Sequence, residues 1–549
     1  MQTNVKTAPT GGQIPFRHFG TMIDCSRNAV MKPAAVERWI DLTASLGYDS
    51  VLLYTEDTYE VPEEPYFGYL RGRYSQDELR RIDRYAAERG VEVIPCIQTL
   101  AHLNAIVGWP AYAPHVDTGD ILLAGDERVY TLIDRCFSSL AQSLTTRTVN
   151  IGMDEAHMLG RGRYYDLHGE QDRCEILLTH LRRVAEIGAK YGFTLMMWSD
   201  MFFRLANGGE YYSTDMARAD EIRQQIPENV RLIYWDYYSL DKGRYDSMIT
   251  AHKKLDEGTW FAGGLWTWTG LAPHNGYSIS ATRAALQSCR EHGIEDVFLT
   301  MWGDDGGECS KFTLLPSLFS AACAAGGCCD DDAVARAFAT RFGLTFTQAM
   351  LFDLPGTPGG DPNDHLNPDK YLLYGDPFSG KFDSTLTPGC GDSYAACAEK
   401  LSALEDTPGY GYLFTTLARL CEVLAIKAEL GVRTRAAYSA RDRGAIAALI
   451  GDYAVCAGRV ARLHDAVRDQ WYAENKGQGF EVQDVRLGGL RQRLDTCRDR
   501  LEHYLAGDID TIEELDEPLL DFCGGGETFG RQPLCTNGWT RMTTAGAIW

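Results

Sequence analysis

The 549-residue chain lacks what a membrane or nucleic-acid partner would require. No run approaches the ~18–20 apolar residues of a membrane span, and the first ten residues have no apolar core of a secretory signal. Lysine and arginine number 53 against 76 acids, a formal charge of −23. Phosphate binding needs basic surface, so neither nucleic acid nor a membrane is expected as a partner. Paired CxxC elements at zinc spacing are missing, and no Gly-x-Gly-x-x-Gly follows an early strand, so a zinc ribbon and a dinucleotide fold have little support. No cofactor and no metal are expected. The 16 cysteines are spread thinly, many within apolar segments (Cys96, Cys136, Cys289, Cys323, Cys421, Cys456), and Cys328-Cys329 are vicinal. Reduced, mostly buried thiols in a cytoplasmic protein are the expectation.

The composition, 45% hydrophobic and 23% charged, is globular, and the length asks for more than one core. Over residues 15–330, β-like runs alternate with amphipathic helical stretches. Strands are predicted at 16–25, 50–54, 92–98, 147–154, 194–199, 231–236, 260–266 and 296–301. Eight strand–helix repeats predict an α/β fold, a (β/α)8 TIM barrel. A doubly wound open sheet is the structural rival. Beyond 330 the texture becomes helical, with runs at 393–405, 410–430, 443–474 and 484–505. Leu413, Leu417, Leu420 and Leu424 mark one apolar face, as in a bundle. An all-α domain is expected over 331–525, then a poorly ordered tail over 526–549 unless Trp539 and Trp549 tie it down. Residues 471–480 read as a plain turn or as a loop reaching an active site.

Thr148-Val-Asn-Ile-Gly-Met-Asp-Glu-Ala156 is the most telling stretch. Neighbouring side chains in a regular strand point to opposite faces, so Asp154 and Glu155 share a site only if the backbone turns after Gly152. Barrel active sites gather at the C-terminal strand ends. Those ends hold Asp24 and Arg27; Tyr54, Glu56 and Asp57; Gln98 and His102; Asp154 and Glu155; Trp198 and Asp200. Trp235 and Tyr237, Trp266 and Trp268, and Trp302 and Asp304 follow. A single tryptophan is usually core, but five at four consecutive strand ends suit a sugar, whose C–H faces stack on indole while its hydroxyls bond to acids.

These residues resemble the family 20 glycoside hydrolases, the β-N-acetylhexosaminidases. The fourth-strand motif stands here as Asn150-Ile-Gly152-Met-Asp154-Glu155. Ile23-Asp-Cys-Ser-Arg27, Tyr54-Thr-Glu-Asp-Thr58, Ile94-Pro-Cys-Ile-Gln-Thr-Leu-Ala-His102 and Met301-Trp-Gly-Asp304 follow the family's order over residues 15–325. The chain looks like the bacterial subgroup whose barrel lies near the N-terminus, before a helical domain. Asn150 and Met153 replace the frequent His and Gly. The strand-seven tyrosine has three candidate equivalents: Trp266, Trp268 and Tyr237.

The resemblance implies an exo-acting enzyme for terminal β-linked N-acetylglucosamine or N-acetylgalactosamine, retaining configuration through an oxazolinium intermediate formed by the substrate's own acetamido group. Asp154 would orient that group and Glu155 would act as acid and base. His102, steadied by Glu56 or Asp57, would tune Glu155. Trp198, Trp235 and Trp302 would box the sugar, and Arg27 and Asp304 would hold ring hydroxyls of either epimer. The partner is a carbohydrate ending in an N-acetylhexosamine, and a homodimer is possible in such an architecture. The rivals are a metal-dependent barrel hydrolase or isomerase, with His102, Asp154, Glu155, His157 and Asp200 as ligands, and a non-catalytic sugar-binding protein.

Overall fold

Segments such as Val51-Leu-Leu-Tyr54 and Leu195-Met-Met-Trp198 are apolar at nearly every position, as strands covered on both faces require. They belong to β1 (His18–Asp24), β2 (Ser50–Glu56), β3 (Glu92–Ile97), β4 (Thr148–Asn150), β5 (Thr194–Trp198), β6 (Val230–Trp235), β7 (Trp260–Gly264) and β8 (Asp296–Met301). In this computed structural model, which describes residues 6–214, 218–361, 363, 365–522, 524 and 538–548, the eight strands pair in parallel. Because β1 pairs with both β2 and β8, the sheet closes into a barrel, and the open-sheet rival is set aside.

The main helices between the strands are α1 (Pro33–Ser45), α2 (Gln76–Ala87), α3 (Glu127–Ser143), α4 (Arg173–Lys190), α5 (Ala219–Gln225), α6 (Lys242–Leu255) and α7 (Asn275–Glu291); α8 (Leu315–Ala325) follows β8. Their starts are written locally. Pro33 opens α1, where its missing N–H costs nothing. Ser75 and Glu78 form a reciprocal capping box on α2, and Asp126, Asp172 and Asp241 accept backbone N–H groups at the starts of α3, α4 and α6.

Contacts divide the chain into two compact units. The first comprises Met1–Leu265, Ser278–Met301 and Ser317–Phe338; the second comprises Trp266–Tyr277, Trp302–Pro316 and Ala339–Trp549. The division does not follow a single cut near residue 330, because the segments after β7 and β8 bond to residues further along the chain. Asp369 accepts the backbone N–H groups of Leu271 (2.7 Å) and Ala272 (3.0 Å). Asp353 accepts from the Asn275 amide and from the Gly276 N–H, both at 2.8 Å. Glu308 sits between Lys370 (2.7 Å) and Arg486 (3.0 Å), with Asp305 on the same two cations.

The second unit is built on α9 (Cys390–Ser402), α10 (Gly411–Ser439), α11 (Arg443–Glu474) and α12 (Phe480–Ala506). The Leu413–Leu424 stripe is buried as expected. By length and composition α11 passes for a membrane-crossing helix, contrary to the reading that no segment approaches one. One face of it, with Ile446, Leu449, Tyr453, Cys456, Val460 and Leu463, is buried in the unit, as in the core helix of a bundle. Residues 471–480 form a tight connection between α11 and α12, closed by the Trp471 indole N–H on the Lys476 carbonyl at 2.8 Å. In the tail, 526–537 and Trp549 lie outside the described residues. Trp539 begins a short helix, donates its backbone N–H to Asp305 (2.8 Å) and lies under the Arg486 guanidinium.

Candidate active site

Strand β4 stops at Asn150, four residues earlier than its apolar run suggests, and the backbone then turns sharply. The Asn150 side-chain oxygen accepts the Gly152 N–H at 2.9 Å. Gly152 (φ 73°), Met153 (φ 68°) and Glu155 (φ 50°) all occupy the left-handed region, which costs a non-glycine residue roughly 1–2 kcal/mol. At Gly152 a Cβ would also meet the Gln98 side-chain oxygen at 2.0 Å. Side chains from neighbouring strand ends hold the turn. Gln98 accepts the Met153 N–H at 3.2 Å, and Asp200 accepts the Glu155 N–H at 3.1 Å.

The turn brings both carboxylates to one imidazole nitrogen. Nε2 of His102 lies 3.2 Å from Asp154 and 3.6 Å from Glu155. The Asp154 side chain is 12% exposed, whereas that of Glu155 is 43% exposed. Gln98 donates from its amide to Asp154 (2.8 Å) and to the Tyr54 hydroxyl (2.9 Å), and Tyr54 donates to Glu56 (3.1 Å). Arg27 bridges Asp24 (3.1 Å) and Glu56 (3.4 Å) with its guanidinium over the Tyr54 ring. One chain of polar contacts therefore runs from the end of β1 to the acid pair. Glu56 and His102 are also left-handed, at φ 48° and 57°, so four of the seven described non-glycine residues with positive φ sit on this rim. Such strain persists where surrounding structure enforces it, which is commonly at functional sites.

The electrostatics separate the groups. Burial opposes charge on His102, but the Asp154 carboxylate outweighs it and lifts the imidazole to about 9. Burial likewise opposes charge on Asp154, yet the His102 cation and the Gln98 amide hold it below the usual carboxylate range. Burial pushes Glu56 up to about 7, with Arg27 opposing and Asp24 adding to the rise. Asp200 is also raised to about 7, by burial and then by the charge of Asp154. At neutral pH the centre holds an imidazolium and an aspartate beside groups that ionise reluctantly.

The predicted aromatics divide. In the first unit, Trp198 ends β5, is 1% exposed and packs against Phe298. Trp235, ending β6, is half-buried and stacks on Tyr237 with ring centres 5.2 Å apart. Tyr211 and Tyr212, unremarkable in the sequence, flank the same indole. In the second unit, Trp266 stacks on Trp268 at 4.4 Å and meets Tyr277 and His365 edge-on. Trp302 is half-buried; Thr267 and Lys311 donate to its carbonyl, each at 2.8 Å, and Asp304 is exposed.

Of the two acids expected as alternatives to steady His102, Asp57 binds Arg71, both oxygens at 3.2 Å, and Glu56 acts on His102 through its charge. His157 is exposed and meets Glu155 through a backbone contact at 2.6 Å, and among the described residues no three His, Cys, Asp or Glu side chains are grouped to hold an ion. Gln98 and Asp200 hold the acid turn, a role the sequence did not suggest for either.

Residues 53–243 match the glycosyl hydrolase family 20 catalytic domain, and residues 346–530 match the glycoside hydrolase 20C C-terminal domain. The chain belongs to glycoside hydrolase family 20. It is similar to hexosaminidase D from Bos taurus, 24% identical over 246 residues, 42% of this chain and 64% of that protein. Hexosaminidase D from Homo sapiens is 24% identical over 238 residues, 41% and 46% of the two chains. The chain thus spans less than two thirds of the length of these curated relatives. A solved β-N-acetylhexosaminidase from Bacteroides fragilis NCTC 9343 is 19% identical, with a TM-score of 0.44 over 57% of this chain and 65% of that one.

Two outcomes test the geometry. Gly152→Ala meets both a left-handed φ and the Gln98 side chain, so urea unfolding should show a loss of about 2–4 kcal/mol. An Ala variant as stable as wild type would refute the turn. His102 has its pKa raised on folding, so its stabilising pairing is present in full below about 6.5 and is lost as pH rises through about 9. The melting-temperature gap between wild type and His102→Gln should narrow across that window; a gap constant from pH 6 to 10 would contradict the pairing.

Proposed function

We propose that the protein is an exo-acting β-N-acetylhexosaminidase working by substrate-assisted, retaining catalysis on terminal β-linked N-acetylglucosamine or N-acetylgalactosamine. The observation that carries this reading is the sharing of one imidazole nitrogen by two unequal carboxylates, one buried and ionised, the other half-open. In the general two-carboxylate scheme the acids flank the scissile bond from different sides, one as nucleophile or base and one as acid. Family 20 membership supplies the other scheme, in which the nucleophile is the substrate's own 2-acetamido oxygen.

Asp154 takes the role of holding the acetamido N–H. It is anchored by Gln98 and His102, stays ionised, and is fixed before the substrate arrives, so it can stabilise the positive charge of an oxazolinium without reorganising. Glu155, open to solvent on one side, protonates the leaving oxygen and then takes a proton from the incoming water. Arg27, fixed by Asp24 and Glu56, presents its remaining N–H groups to ring hydroxyls. The Trp235–Tyr237 stack offers a flat apolar wall for the sugar face. A cytoplasmic setting is part of the proposal, supported by cysteines that are free thiols among the described residues, 11 of the 14 buried.

Glu155→Gln should lower kcat on 4-nitrophenyl N-acetyl-β-glucosaminide by ~10²–10⁴-fold while the circular dichroism and melting profile stay native. Turnover at the wild-type rate would remove Glu155 as the acid. For Asp154→Asn, the kcat/KM ratio of the N-acetylglucosaminide to the plain glucoside should collapse. Equal losses on both substrates would instead assign Asp154 a structural role.

A further inference from the structure

A cavity of about 480 Å³ is walled by residues that follow the acid pair and β5 in the chain, and its charge is opposite to that of the chain as a whole. Its wall includes Arg161, Arg173, Arg204 and His157, against one carboxylate, Asp172. That carboxylate is already engaged: it caps α4 through the Cys174 N–H (2.8 Å) and pairs with Arg218 at 3.0 Å. Arg204 reaches Asp200 at 3.4 Å. The other two guanidinium groups have no carboxylate within 4 Å among the described residues. Arg173 spends its donors on the backbone carbonyls of Leu159 (3.0 Å) and His157 (2.6 Å). Burial, and then the neighbouring Arg161 charge, pull Arg173 below the usual arginine range. The exposed Arg161 and the half-buried Arg173, neither held by a carboxylate, form a wall suited to an oxyanion.

The cavity adjoins the chemistry through two short links. The His157 N–H meets the Glu155 carbonyl at 2.6 Å, and Arg204 holds the Asp200 carboxylate that accepts the Glu155 N–H. We infer that this cavity is a subsite for an oxyanion, a carboxylate or a sulfate, on the part of the substrate beyond the scissile bond. The inference rests on the hexosaminidase reading and narrows its substrates to those with an acidic aglycone. Its volume fits one sugar-sized group, and the Arg161 guanidinium, with the remaining Arg173 N–H groups beside it, suits either oxyanion.

The test uses three N-acetyl-β-glucosaminides of ring-substituted 4-nitrophenols, bearing a carboxylate, a sulfate ester, or the neutral methyl ester of that carboxylate. At low ionic strength the charged glycoside that fits should show kcat/KM about tenfold above the methyl ester, and the advantage should shrink in 1 M salt. Arg161→Glu should bring that ratio to one or below, while Arg161→Lys retains most of it. The arm carrying the preference identifies the oxyanion. Equal kcat/KM for all three glycosides, or a ratio indifferent to Arg161→Glu, would overturn the subsite while leaving the hexosaminidase reading intact. Hydrolysis of none of the three would overturn that reading and this inference with it.

Discussion

The His102 imidazolium is the constraint on which the acid pair depends. Asp154 is too buried to remain ionised alone, and its carboxylate stays charged because a cation sits 3.2 Å away and a Gln98 amide points at it. The same nitrogen lies 3.6 Å from Glu155, so one positive charge serves two acids of unequal exposure. Removing that charge would leave a buried anion with one amide for company, a costly state at low dielectric. The left-handed backbone at Met153, Glu155, His102 and Glu56 is the local expense of this arrangement. It is held by side-chain bonds from the ends of β3 and β5 and is not relieved by them.

The barrel was legible because eight strand-like, mostly apolar runs alternate with helical stretches. Its fourth strand was overread for the same reason. Ile151 and Met153 look like strand residues, and hydropathy says nothing about a φ of 68°. The acid pair, Arg27 and His102 were legible from position at successive strand ends, and these four fall on one connected set of contacts. Gln98 was not legible as the hub, since its role exists only once β3 lies beside β4. Glu56 and Asp57 could not be told apart in the sequence; a left-handed turn at Glu56 separates them, and Asp57 goes to Arg71. Tyr211 and Tyr212 lie in a connection without a motif, and their place around Trp235 comes from tertiary packing alone.

The second unit shows a related limit. The segments after β7 and β8 carry Trp266, Trp268, Trp302 and Asp304, and chain order suggested that they belong with the strands preceding them. Their polar partners instead lie dozens of residues downstream. Asp353 and Asp369 are buried carboxylates raised to about 7 and about 6 by burial, and each accepts backbone or amide N–H groups from 271–276. Lys370 and Arg486 clamp Asp305 and Glu308. Buried ion pairs of this kind add little net stability compared with apolar packing, but breaking one partner away is expensive, so they fix a loop in place. Periodicity finds the helices and cannot assign such long-range bonds.

In the proposed function, Asp154 holds an acetamido group as it closes on the anomeric carbon. Titration calorimetry with N-acetylglucosamine thiazoline, a stable mimic of the cyclised intermediate, tests this most directly. Binding at least a hundredfold tighter than N-acetylglucosamine itself, with the difference lost in Asp154→Asn, is the predicted result. Thiazoline binding no tighter than the free sugar, or a preference indifferent to that substitution, would contradict it.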